Sequence, residues 1–222
     1  MLAVYRSGVV TGLAFGYIAT VAILAPAGAF GARDTVPGLV STIQEATQRF
    51  ADIEVARAEG YIPDPSGHCV SAAAEGLPAE WGAMGVHYLR PDLLGITATA
   101  PRVDGVGLHT DFRNPAILLY EPQADGSMEL VGVENLVFEA AWRAAGNSET
   151  PRLADRTWDY MADDPATPGD EAHGFAPHWD QHVWFRPNPF GALHPFNPNV
   201  SCEHHAPSHT GAAHAPHHHG GN

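Results

Sequence analysis

The stretch AILLYEPQADGSMELVGVENLVF, residues 116–138, decides the fold. Two apolar runs, Ala116 to Glu121 and Glu129 to Phe138, flank a polar segment from Pro122 to Ser127. Val131, Val133 and Val137 recur with the period of two of a pleated strand. Asp125-Gly126 supplies the turn chemistry of a hairpin loop. The reading is two antiparallel strands, and hence a β-rich fold. Working outward, Met84 to Leu89 and Gln181 to Phe185 are two further strands, the first ended by Arg90-Pro91-Asp92. Val36 to Glu59 reads as one amphipathic helix, with Leu39, Ile43, Ala46, Phe50 and Ile53 on one stripe, Pro37 in the first turn and Gly60 as the stop. Tyr61 to Gly67 is a loop, and Glu139 to Ala145 a short helix stopped by Gly146. Residues 147–177 are polar and Pro-rich, a long connection and a candidate lid. The expected fold is α+β and mostly β: an antiparallel sheet, small barrel or sandwich with an N-terminal amphipathic helix and long Pro-rich loops.

The two ends of the chain differ from this middle. Met1 to Arg6 is a short, singly charged segment, Val9 to Leu24 is apolar, and Ala27-Gly28-Ala29 is a small-residue cleavage pattern. That order predicts a Sec-type signal peptide over 1–29 and an exported protein, in the periplasm or outside the cell. Residues 30–202 then form a single β-rich domain. Residues 203–222 hold seven of the fourteen His among Gly, Ala and Pro, and predict a disordered His-rich tail. Only two Cys occur, Cys69 and Cys202. Neither sits in a C-x-x-C pair, so in an exported chain a disulfide is the expectation. With 25 acidic against 11 basic side chains, all of them Arg, the formal charge is −14. Counterion-release binding needs clustered basic residues, so nucleic acid is excluded as a partner, and an anionic membrane surface is disfavoured.

Four polar residues interrupt the apolar strands: His87, Glu121, Glu134 and His182. A carboxylate on an apolar strand face is costly unless it is paired or bound to a cation. Two His and two Glu on adjacent strands would remove that cost by ligating one divalent transition metal ion, with Zn, Cu, Fe and Mn all compatible with the donors. Ion pairing of Glu134 with an Arg, a solvated strand end for Glu121 and a hydrogen-bonded core position for His87 are the competing readings. His178 and Asp180 share a strand face with His182 and are secondary candidates, as are His204, His205, His217, His218 and His219 of the tail. Tyr88, Trp179 and Trp184 are expected to wall the pocket.

An ordered set of motifs accompanies these residues: Gly60-Tyr61 with Pro63-Asp64, Cys69-Val70, Met84-Gly85-Val86-His87-Tyr88, Leu118-Leu119-Tyr120-Glu121-Pro122, Leu130-Val131-Gly132-Val133-Glu134, His182-Val183-Trp184 and Asn197-Pro198-Asn199-Val200-Ser201-Cys202. The set resembles a family of uncharacterised exported bacterial proteins over roughly residues 40–202. The resemblance implies export and a shared domain, not a reaction. Asn135 departs from the aromatic residue the family pattern leads one to expect there. Three readings of function stand: a metal-dependent enzyme acting on a small molecule, a metal-binding or trafficking protein that uses the His-rich tail, and a non-catalytic secreted domain. The expected partners are a metal ion and a small-molecule substrate, with no membrane after signal cleavage.

Overall fold

The protein, described by a computed structural model, is defined over residues 36–166 and 170–206. The signal segment expected over 1–29 lies outside the described residues, as does the tail beyond residue 206, including His217, His218 and His219.

The N-terminal helix is not continuous. Helix α1 spans Val36–Thr47 and α2 spans Ile53–Ala58, with a 3-10 turn, Gln48–Ala51, between them. The break falls at Asp52, whose extended backbone (φ −89°, ψ 109°) lets its side chain accept from the N–H of Glu54. An exposed Asp on the polar side of the stripe thus acts as a cap that starts a second helix. The apolar stripe survives the break: Leu39, Ile43, Phe50 and Ala56 are all buried.

Seven strands form one antiparallel sheet: β1 Ile62–Pro63, β2 Cys69–Ser71, β3 Ala83–Leu89, β4 Ile117–Pro122, β5 Met128–Phe138, β6 Asp159–Met161 and β7 His178–Trp184. The order is β1-β3-β4-β5-β7-β6, with β2 also pairing β3. The sheet is open rather than a closed barrel, because β1 and β2 share one edge and the three-residue β6 forms the other. Short edge strands of this kind offer little to further pairing. The hairpin expected at Asp125-Gly126 is present, with Gly126 at φ 85° and the N–H of Gln123 donating to the carbonyl of Ser127. The connection over 147–177 is packed rather than a free lid over its described part: it carries β6 and buries Leu153, Trp158 and Phe175.

Every residue of β3, β4 and β7 is buried, so both faces of the sheet are covered. On one face Val86, Tyr88, Leu118, Tyr120, Val133 and Val183 pack against α1 and α2. On the other, Leu89, Ile117, Leu119, Leu136 and Trp184 pack against Leu94 of a four-residue helix, Pro91–Leu94, and loop residues such as Val103, Phe175 and Phe196. No long helix covers this second face among the described residues. Cys69 and Cys202 form the expected disulfide, with Cα atoms 5.7 Å apart, and staple β2 to the C-terminal turn.

Candidate metal centre

The site grows from the register of four strands. Leu89, Ile117, Glu134 and His182 form one row across β3, β4, β5 and β7. His87, Leu119, Gly132 and Trp184 form the next. Glu134 and His182 are therefore direct cross-strand neighbours on the loop-covered face. His87 reaches them across the apolar side chains of β4. Gly85 sits at φ 94°, and a Cβ there would lie 2.5 Å from the carbonyl oxygen of Tyr120. Its left-handed backbone breaks the alternation of β3, so that Met84 and His87 both line the same cavity. Gly132 opens the space in the second row, since a Cβ would lie 3.1 Å from the Trp184 ring. The indole fills that space and stacks on His182 at 5.8 Å and 18°.

His87, Glu134 and His182 each offer a ligand atom within 4.8 Å of the others. Their exposures are 6%, 3% and 0%. The Oε2 of Glu134 is 3.2 Å from Nε2 of His87 and 3.4 Å from Nε2 of His182. Yet that oxygen makes no hydrogen bond, and neither ring nitrogen of His182 makes one. Two ligands about 2.1 Å from one ion, at a tetrahedral angle, lie about 3.4 Å apart. The spacing is thus that of ligands directed at a common centre rather than at one another.

Burial decides the protonation states. Desolvation pushes His87 down to about 4 and also lowers His182, so both imidazoles are neutral and carry a free lone pair at neutral pH. Desolvation pushes Glu134 up to about 7, with His182 opposing it. A buried carboxylate held against its charged form, facing two neutral imidazoles, is stabilised by a divalent cation more than by any other partner at the site. A cavity of about 10 Å³, room for one water-sized group, is lined by His87 and Glu134. Asp64, His173, His178 and Asp180 also line it.

Other expected site residues lie elsewhere. Glu121 does not join the group. Its Oε2 pairs with Arg186, its Oε1 accepts from the N–H of Ser201 at 2.6 Å, and Gln123 donates to it at 3.1 Å. It shares the strand face of Ile117 but stands four residues further along, about 13 Å at the usual rise. Tyr88 and Trp179 do not wall the cavity, because alternation places both on the helix-covered face. There Tyr88 packs on Tyr120 at 5.2 Å, and Trp179 on Tyr160 at 5.4 Å. Trp184 does not line the cavity either, but its indole stacks on His182. His204 is exposed, and His205 is bonded to the carbonyl of Gly67 at 2.9 Å. Two lining residues, Asp64 and His173, carry no metal-ligand signal in the sequence. Asp64 stands between two prolines and carries only a turn signal, and His173 lies outside the apolar strand pattern.

No family model, no curated protein and no solved structure matches the chain. Among the described residues, no helix is long and apolar enough to cross a membrane.

The donor set is two imidazoles and one carboxylate, with room left for a further ligand. Three protein ligands and an open position are what Zn²⁺ has in hydrolytic sites, and two His with one carboxylate also suit Fe²⁺. The residues fit a divalent transition metal. Bound there, an ion would polarise an oxygen-bearing ligand in the cavity.

Proposed function

We propose that this chain is an exported metal-binding protein that holds one divalent transition metal ion on His87, Glu134 and His182. The observation that carries the reading is the buried Glu134 Oε2, which stands 3.2 and 3.4 Å from two neutral imidazoles and hydrogen-bonds to neither. The disulfide supports an oxidising compartment, and with it export. The adjoining cavity favours a water-sized ligand at the open coordination position, so the small-molecule chemistry proposed for the site acts on a group of that size. In that chemistry His87 and His182 hold the ion by their neutral rings. Glu134 supplies the negative charge, and Trp184 fixes the ring of His182.

Elemental analysis of the protein purified without an affinity tag tests this. The expected result is at least one slowly exchanging ion per chain that is lost when His87 and His182 are both replaced by Gln. An equal metal content in that variant would remove the assignment.

A further inference from the structure

The cavity beside the first site has a second wall of ligating groups. His178, Asp180 and His182 follow one another on one face of β7. His178 and Asp180 are 1% and 2% exposed. The Nδ1 of His178 lies 2.9 Å from the carbonyl oxygen of Ala176. A carbonyl only accepts, so Nδ1 carries the hydrogen and a neutral ring presents its lone pair at Nε2. That backbone anchor is how metal-ligating imidazoles are commonly held. Nε2 faces Oδ2 of Asp180 at 3.6 Å, which is too long for a hydrogen bond. It is close to the roughly 3.4 Å that separates two ligands of one tetrahedral ion. The other oxygen of Asp180, Oδ1, is buried and has no hydrogen-bond partner. His173 lines the same cavity with both ring nitrogens outside hydrogen-bond geometry, its Nδ1 lying 3.2 Å from Oε2 of Glu75.

An imidazole nitrogen and a carboxylate set at ligand spacing, deep in the protein and with one carboxylate oxygen unbonded, form a donor pair left incomplete by protein atoms alone. A cation between them completes it. We infer that the cavity takes a second divalent cation, ligated by Nε2 of His178 and by Asp180, so that the loaded domain carries a two-ion centre. This rests on the reading of the first site, because the two ions would face one cavity. Asp180 stands between His178 and His182 on the strand and is placed to be shared by both ions. His173 is the remaining unbonded imidazole at the cavity, whereas both oxygens of Asp64 already accept from Ser66.

Native mass spectra of the intact chain loaded with Zn²⁺ alone test the inference. The tail is common to every variant, so differences count ions in the domain. The wild type is expected to carry one ion more than His178→Gln or Asp180→Asn, and two more than the double variant His87→Gln/His182→Gln. If both single variants carry the wild-type count while the double variant carries one fewer, the second site does not exist and the first stands. If the double variant carries the wild-type count, the first site falls and the second with it. Near-UV circular dichroism identifies any variant that has lost its fold. X-ray absorption of the Zn-loaded wild type needs no variant: a short metal–metal scattering path is expected, and its absence overturns the two-ion centre.

Discussion

The two faces of the central sheet treat buried polarity in opposite ways. Under α1 and α2 the polar side chains are bonded: the hydroxyl of Tyr61 donates to Pro115, that of Tyr120 to Phe50, and the amide of Gln181 to Leu193. What is left over there is scattered, a single nitrogen each of Asn135 and Trp158. Under the loops, the unbonded atoms gather: His87, Glu134, Asp180, His182 and His173 all contribute. Buried polar groups without partners destabilise a fold, and a cluster of imidazoles and carboxylates is a donor set that a cation could satisfy. A core whose polar groups are bonded within the protein and one whose imidazoles and carboxylates could hold an ion thus share one sheet.

The largest effect that sharpens this contrast concerns how the loop face is held shut. No long described helix covers it, and the disulfide closes a loop of 133 residues. In the chain-entropy model, replacing Cys69 and Cys202 together by Ala should cost about 5 kcal/mol, read by urea denaturation. A loss under about 1 kcal/mol would mean that the loops hold the face without the staple.

Next in size is the metal-free Glu134→Gln variant. Folding raises the pKa of Glu134 from an ordinary 4.5 to about 7, so the folded state keeps a proton that the unfolded state releases. The wild type therefore loses stability as pH rises through that window, and the penalty is complete above about 7. His87, pushed down from 6.5 to about 4, does the opposite, costing stability as pH falls through its own window. Glu134→Gln should thus stabilise the metal-free protein by on the order of 3 kcal/mol above pH 7 and by nothing below 4.5. A pH-independent difference would show that the carboxylate is not held neutral by burial.

On the helix face, Tyr120→Phe removes one satisfied hydroxyl and should cost about 1 kcal/mol while leaving metal affinity unchanged. A change in affinity would mean that the faces are coupled. The smallest expected effect is that of Glu121→Gln on metal affinity, which should be indistinguishable from wild type in chelator competition. A tenfold weakening would return Glu121 to the site.

Much of this was legible in the sequence, and the failures have physical causes. His87, Glu134 and His182 stand out because each interrupts an apolar strand, and the register brings them together. Glu121 stands out for the same reason, but alternation reports only the face of a side chain, not its row along the strand. Tyr88 is the chain neighbour of His87, and Trp179 is out of phase with His182, so the same alternation sends both to the other face. The helix break at Asp52 hides within a well-kept apolar stripe, because a capping Asp reads as an ordinary polar position. Asp64 and His173 come from loops, where no periodicity marks burial.

The central claim is that an ion binds the folded loop face and not the unfolded chain. An ion that binds folded and unfolded chains alike, by contrast, adds little to stability. Thermal unfolding with and without Zn²⁺ separates the two. At a free concentration one hundred times Kd, mass action should stabilise the wild type by about 2.7 kcal/mol. That raises the melting temperature by about 8 °C for a domain of this size. His182→Gln should show almost none of that rise. An equal rise in both proteins, or no rise in the wild type, would contradict a metal centre on His87, Glu134 and His182.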